Sequence, residues 1–359
     1  MPIKDLHKKP FDEGTLTKLQ IFELYAREWL PVFLSKSSPS LSKIHLYDFF
    51  VGPGIDSKNI LGSPLRILQH LRNFQRLDGF EKAKIHIHFF DNAPKKIEQL
   101  KLNVKTHGFH VSNIEYDIQP LGFEEAFQMA KKELADPHAA KLVFIDQNGV
   151  GNVTPEVFRE LVNSPICDFL FFISSSTLYR FHEVSSIKQK IKRPNDYYHV
   201  HRSVLDFYRS LVPAGKQYFL APFSIKKGAN IYGLIFGSAH LLGIDKFLQV
   251  AWKNDQISGQ ADFDIDHDNL IPGQPTLPFR EMLPRKVGIF EAELEGILRR
   301  GQITNELQII ELCVQHGVKR QHAENVLKDL KKAGIIDLNF RVPDIKRIKS
   351  PRPIIMKWE

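Results

Sequence analysis

Three acidic residues sit where apolar runs of the chain give way to turns. Asp48 lies in Leu46-Tyr47-Asp48-Phe49-Phe50-Val51, ahead of Gly52-Pro53-Gly54; Asp91 closes Ile85-His86-Ile87-His88-Phe89-Phe90; Asp146 closes Leu142-Val143-Phe144-Ile145. A strand that runs into a glycine turn and then a helix presents backbone N–H groups to a nucleotide-like ligand, because the unpaired donors and the helix dipole face one point. A carboxylate at the end of the second strand accepts hydrogen bonds from ribose hydroxyls. The chemistry expected is therefore cofactor binding at Gly52, Pro53 and Gly54, with Asp91 on the ribose. Asp91 follows Gly54 by 37 residues, against about 20 in the dinucleotide fingerprint. That spacing argues against a nicotinamide dinucleotide.

The elements that must hold these groups are legible from spacing. Ser63 is a favoured N-cap, Pro64 suits the first helical position, and Leu65, Leu68 and Leu71 recur at helical spacing. Ile85 to Phe90 alternates as a strand, and Phe169 to Ile173 is a second strand-sized apolar run. The fold class expected is α/β with a Rossmann-like sheet and a smaller C-terminal domain. The boundary is expected between domains 1–275 and 276–359.

The C-terminal part reads as three short helices and a hairpin. Phe290 to Leu298 is amphipathic and stopped by Gly301. Thr304 is placed to cap Asn305 to Gln315, stopped by Gly317. A third helix is expected from Lys319 to Ala333, with Ala323, Val326, Leu327 and Leu330 inward and Gly334 as its stop. Ile335 to Phe340 alternates as a strand, with Lys346-Arg347-Ile348-Lys349 as its return. This order predicts a winged helix whose third helix enters a major groove and points Arg320, Gln321, Lys328 and Lys331 at phosphates or base edges. A protein-docking module is the other use of the same architecture.

Charge agrees with a polyanionic partner. The 359 residues carry a formal net charge of +8 with pI near 9.2. From Arg280 to Glu359 there are 16 Lys and Arg against 11 Asp and Glu, so this last fifth holds most of the excess. A second basic stretch, Arg180, Lys188, Lys190, Lys192 and Arg193 with Tyr179, Tyr197 and Tyr198 interleaved, suits an unstacked base on a phosphate backbone. Its bland alternative is a solvated loop.

Other chemistries fail on inspection. Cys167 and Cys313 are the only cysteines, too few for a disulfide framework, a cysteine zinc cluster or an iron–sulfur site. Asp262-x-Asp264-x-Asp266 has His267 where a calcium loop needs Gly and Gly273 where it needs Glu. His86 and His88 read as packed or solvent-facing, so no metal is expected. The motifs of P-loop NTPases, zinc proteases and Gly-x-Ser-x-Gly esterases are absent. No apolar stretch approaches the roughly 18 residues that span a bilayer, and Met1 to Asp5 has no apolar core of a secretory signal. Cytoplasmic residence without a membrane partner is the expectation.

A wider set of residues carries a resemblance. Thr17-Lys18-Leu19, Tyr25 to Trp29, Tyr47 to Gly54, Gly62-Ser63-Pro64, Phe144-Ile145-Asp146 and Ile231 to Ser238, spread over roughly residues 11 to 255, resemble the three-Cys-motif partner proteins (TcmP). Members of that family look like class I S-adenosylmethionine-dependent methyltransferases. The chain departs from the family pattern at Val51, where Ala is usual, and at Asp146-Gln147-Asn148-Gly149, where Asp-Pro-aromatic-Gly is usual. The resemblance implies S-adenosylmethionine as cofactor, its aminoacyl end near Asp48 and Gly52 to Gly54, its ribose on Asp91 and its base near Asp117. It implies methyl transfer aligned by Asp48 and Asp146, and a partner of the phage type carrying a three-cysteine radical motif. The function expected is a methyltransferase acting on nucleic acid or a nucleic-acid-associated substrate. A non-catalytic nucleic-acid-binding adaptor for a partner enzyme is the alternative, which Gln147-Asn148 favours. If the enzyme reading holds, the side-chain oxygen of Gln147 or Asn148 accepts from an exocyclic amine.

Overall fold

Near-continuous apolar runs need cover on both faces, and a parallel sheet flanked by helices supplies it. In a computed structural model, which describes residues 9–34, 41, 43–77, 80–109, 113–147, 151–174, 200–228, 230–266 and 285–357, the chain falls into two compact units, Met1–His240 and Leu241–Glu359. The division comes before the expected boundary at 275/276.

The first unit runs α1 (Glu13–Leu34), β1 (Lys43–Asp48), α2 (Ser63–Phe74), β2 (Lys84–Phe90), α3 (Pro94–Thr106), β3 (Ile114–Gln119), α4 (Phe123–Leu134), β4 (Ala139–Ile145), α5 (Pro155–Asn163), β5 (Cys167–Ser174), α6 (Val200–Leu211), β6 (Phe219–Lys227) and β7 (Asn230–Ser238). Its seven strands lie in the order β3-β2-β1-β4-β5-β7-β6. The pairs β1–β2, β1–β4, β2–β3 and β4–β5 are parallel, and β7 runs antiparallel to both β5 and β6. This is a Rossmann-like sheet with one reversed strand. Chain direction across the sheet switches between β1 and β4, which opens a crevice beyond their carboxyl ends.

One face packs Tyr47, Phe49, Phe90, Val143, Phe169 and Phe171 against Phe123 and Phe127 of α4, Phe158 of α5 and Tyr208 of α6. Each such fully buried side chain contributes about 1.5–3 kcal/mol. The apolar stripe of α1 includes Phe22, which stacks on Phe144 of β4 with ring centroids 3.9 Å apart. Gly14 permits α1 to approach β6 this closely, since a Cβ there would stand 2.9 Å from the Lys226 carbonyl oxygen and from the Lys227 Cβ.

The second unit contains α7 (Leu241–Asn254), α8 (Arg285–Arg299), α9 (Glu306–His316), a 3₁₀ turn (Arg320–Ala323), α10 (Glu324–Lys332), and the antiparallel pair β8 (Ile336–Asp337) and β9 (Ile355–Met356). Its core joins Trp252 of α7 to Phe290, Leu294, Ile309, Cys313, Leu327 and Ile336. Trp252 also donates its indole N–H to the Gly317 carbonyl at 3.0 Å, which ties α7 to the C-terminal helices. Three expectations about the elements change. Asn305, not Thr304, caps α9, accepting from the N–H groups of Leu307 and Gln308. The third helix divides into the 3₁₀ turn and α10, and only Ile336–Asp337 of the expected first strand pairs. Lys346 and Arg347 lie in a 3₁₀ turn (Ile345–Arg347), so the return strand is β9 instead. Among the described residues no helix is long and apolar enough to cross a membrane.

Candidate cofactor site at the switch point

The crevice is built by the ends of β1, β2 and β4. After β1 the chain turns through Gly52 (φ 59°) and Gly54 (φ 83°). Both are in the left-handed region that favours glycine, and a Cβ at Gly54 would meet Leu100 of α3 at 2.6 Å. The turn is closed by Gly62, whose N–H donates to the Gly54 carbonyl at 2.7 Å. Here the expected cap is corrected. Gly62 occupies the N-cap of α2 and Ser63 is already helical, because the Ser63 hydroxyl is spent on Asp48, donating to its Oδ2 at 2.6 Å.

Asp48 is only 1% exposed. Its Oδ1 accepts from the Phe50 N–H at 3.0 Å. Burial pushes its carboxyl up to about 7, with smaller contributions from the Asp146 and Asp91 carboxylates, against the opposing donors Ser63 and Phe50. A group so placed is ionised or neutral according to what charge approaches it.

Asp91 is also buried, and it ties the second strand to the turn. Its Oδ2 accepts from the Gly52 N–H at 3.1 Å and its Oδ1 from the Ala93 N–H at 2.9 Å. A carboxylate offers about four lone-pair sites. Two lie beyond these backbone bonds, with the Lys96 ammonium 4.0 Å from Oδ2, so the acceptor set fits a ribose diol at this edge. Asp117 stands elsewhere. It pairs in register with His88, two positions before the last residue of β3, and its carboxylate meets the His88 Nδ1 at 3.3 Å and the Gln119 amide. The structure brings Asp48, Gly52, Gly54 and Asp91 together and leaves Asp117 in a histidine cluster below the edge.

That cluster is where the alternation of β1 and β2 leads. His45 Nδ1 is 3.0 Å from His88 Nε2, the His45 and His86 rings stack with centroids 4.7 Å apart, and Tyr47 stacks on His88 at 4.3 Å. His86 pairs with Glu115 at 3.0 Å. Among the described residues no group of three or more His, Cys, Asp or Glu is placed to hold a metal ion.

Asp146 has a partner not foreseen from its motif. The Lys18 ammonium reaches both its oxygens, at 2.6 and 2.7 Å, with side-chain exposures of 8% for Lys18 and 25% for Asp146. The same ammonium lies 5.0 Å from the Phe172 ring centroid and 5.6 Å from that of Tyr232. A signal existed: Lys18 stands on the apolar stripe of α1 with Phe22, Tyr25 and Trp29, where a charge is costly unless paired. Gln147 turns inward. Its Nε2 donates to the Phe172 carbonyl at 3.0 Å and its Oε1 accepts from the N–H groups of Asn152 and Val153, so the oxygen expected to face an exocyclic amine holds the loop before α5. Asn148 lies outside the described residues, as do Arg180, Lys188, Lys190, Lys192 and Arg193.

In the second unit Arg320 is engaged within the fold. Its guanidinium is held by Asp245, with Nε to Oδ1 at 2.7 Å and Nη2 to Oδ2 at 3.2 Å, and by the Pro343 carbonyl; its side chain is 16% exposed. Lys331 donates to the Leu338 carbonyl, and Lys328 is exposed.

No family model matches the sequence, and no curated protein matches it. Similar solved structures include a protein described as a putative methyltransferase, yhhF, from Escherichia coli, at 17% identity over 60% of this chain and 86% of that one, with a TM-score of 0.27. Another is the O-methyltransferase TomG from Streptomyces achromogenes in complex with SAM, at 10% identity over 64% of this chain and 90% of that one, with a TM-score of 0.32. A third, Trm1 from Pyrococcus horikoshii with S-adenosyl-L-methionine, aligns at 12% identity over 100% of this chain and 94% of that one, with a TM-score of 0.39.

Proposed function

We propose that the chain is an S-adenosylmethionine-dependent methyltransferase of the kind its sequence resembles, the three-Cys-motif partner proteins, acting on nucleic acid or a nucleic-acid-associated substrate. The observation that carries this reading is the convergence of Asp48, the Gly52-Pro53-Gly54 turn and Asp91 on the crevice between β1 and β4. Three carboxylates with two ammoniums, Lys18 on Asp146 and Lys96 at 4.0 Å from Asp91, leave a net negative charge that suits a ligand bringing positive charge and a ribose. The cofactor supplies an activated methyl group on a sulfonium. The chain's own residues have the task of holding that group and an acceptor atom in line: Asp91 takes the ribose hydroxyls, Asp48 faces the aminoacyl end, and the Lys18–Asp146 pair borders the acceptor side.

In the C-terminal unit the succession of α8, α9 and α10 followed by an antiparallel pair supports a winged-helix reading and a nucleic-acid partner; a phage-type radical protein remains the protein partner that the resemblance suggests. Gln147 favours a second reading, a nucleic-acid-binding adaptor without catalysis, because its amide is committed to Phe172, Asn152 and Val153 rather than to an acceptor.

The test is isothermal titration with S-adenosylmethionine and with S-adenosylhomocysteine. Micromolar binding by the wild-type chain, weakened at least about tenfold (about 1.4 kcal/mol) in Asp91→Asn, is expected. Absence of binding by both ligands removes the enzyme and leaves the adaptor.

A further inference from the structure

Between Ile345 and Lys357 the chain carries Lys346, Arg347, Lys349, Arg352 and Lys357 with no acidic residue. This run leaves a 3₁₀ turn, returns to β9, and is clamped at two points by the start of α9. Glu306, fully buried, accepts from the N–H of Asp344 at 2.9 Å and from the N–H of Arg352 at 2.8 Å, and forms a bidentate pair with the Arg352 guanidinium. Burial alone would raise this carboxyl, but the donors from Arg352 and Asp344 outweigh it and hold it below the usual range. The Glu306 N–H donates back to the Arg352 carbonyl at 3.1 Å, and the Ile354 N–H reaches the Thr304 carbonyl at 2.8 Å. Arg352 is consumed by the clamp. Lys346, Arg347 and Lys349, between the clamped points, are exposed.

A fixed frame presenting three exposed cations, with the one neighbouring acid, Asp344, occupied in capping the 3₁₀ turn through the Lys346 N–H, is a phosphate-contacting surface, since the ordering cost of the backbone is already met by the fold. Helix α10 offers less. Asp329 stands between Lys328 and Lys331 on its exposed side, Lys331 donates to Leu338, and Arg320 is held by Asp245. A lipid surface fits poorly, because Ile345 and Ile354 are buried and only Ile355 stands out at 58% exposure, too little apolar area for insertion.

We propose that residues 345–357 bind the phosphate backbone of nucleic acid through Lys346, Arg347 and Lys349, and that this surface, not α10, makes the main contact. The inference deepens the nucleic-acid part of the reading above and requires no cofactor, so it stands or falls separately from methyl transfer.

The experiment is fluorescence anisotropy of the full chain with a labelled duplex of about 20 base pairs, two turns of DNA, titrated across potassium chloride concentrations without cofactor. Each lost phosphate contact flattens the log–log salt slope by about 0.9. Lys346→Ser/Arg347→Ser/Lys349→Ser is expected to flatten it by about 2 to 3 and to weaken binding roughly 10- to 100-fold at moderate salt; Lys328→Ser/Lys332→Ser is expected to leave the slope as in wild type. The single variants Lys346→Ser and Lys349→Ser, each worth about one unit of slope, give the readout if the triple variant melts early. No wild-type binding at low salt, an unchanged slope in the loop variants, a larger loss in the helix variant, or equally tight binding to phosphatidylserine vesicles would each overturn the proposal.

Discussion

Asp48 is the residue whose protonation state the fold leaves open at neutral pH. Its ordinary value of 3.8 rises to about 7 in the folded chain, so between these values the folded state holds a proton that the unfolded state has released. For this group, stability falls as pH rises through that window. Binding runs the other way if the ligand's cationic end meets the ionised carboxylate: affinity for S-adenosylhomocysteine should rise about tenfold from pH 6 to pH 8, and the part of the rise due to Asp48 should vanish in Asp48→Asn. Calorimetric titration of both proteins across that range measures it; parallel pH profiles would take Asp48 away from the ligand. The glycine turn, Asp48 and Asp91 are legible in the sequence because each is a local feature, a strand end followed by residues that tolerate positive φ. Lys18 is not legible in the same way. Its partner is 128 residues distant, and nothing local says which carboxylate an ammonium on an apolar stripe will find. The neighbour of Asp117 is illegible for a related reason, since the strand register that pairs it with His88 comes from tertiary packing.

At the scale of elements, β1 and β2 carry a liability beneath the crevice. His45, His86 and His88 stack as a ladder, with Glu115 and Asp117 facing it from β3 and Lys43 and Lys141 nearby. Burial lowers His45 from 6.5 to about 3, with His88, His86, Lys141 and Lys43 adding to the effect. A histidine held neutral in the fold favours folding fully above its unfolded value and loses that contribution as pH falls below it. The sheet should therefore lose about 2 kcal/mol between pH 7 and pH 5 from His45 alone, at about 1.4 kcal/mol per pH unit once below 6.5. Urea titrations of wild type and His45→Leu at the two pH values isolate the difference, and equal acid sensitivity in both would place the liability elsewhere. The C-terminal helices show what spacing does and does not reveal. Their inner faces follow from apolar periodicity, whereas the position of the return strand depends on Glu306 clamping Arg352, a pairing 46 residues long in sequence.

On the scale of the whole chain, the sheet is assembled from distant pieces. Helix α1 lies against β6 through Gly14, and Lys227 reaches back to the Thr15 hydroxyl at 3.1 Å and to Asp12 at 3.0 Å, across 212 positions. Gly14→Val places a branched side chain within 2.9 Å of the Lys226 carbonyl; the expected result is a loss of roughly 1–3 kcal/mol and faster amide exchange confined first to α1, with exchange in α1 as slow as in wild type counting against the close approach. This arrangement also dictates an order of events during synthesis. Helix α1 completes its contact with β6 only after that strand has left the ribosome, some two hundred residues later, and closing so long a loop must precede any reward from that contact. Until then the start of α1, around Gly14 and Thr15, stays unseated on the nascent chain while its stripe is covered first by β4 through Phe22 and Phe144, a partly exposed state of the kind that chaperones hold.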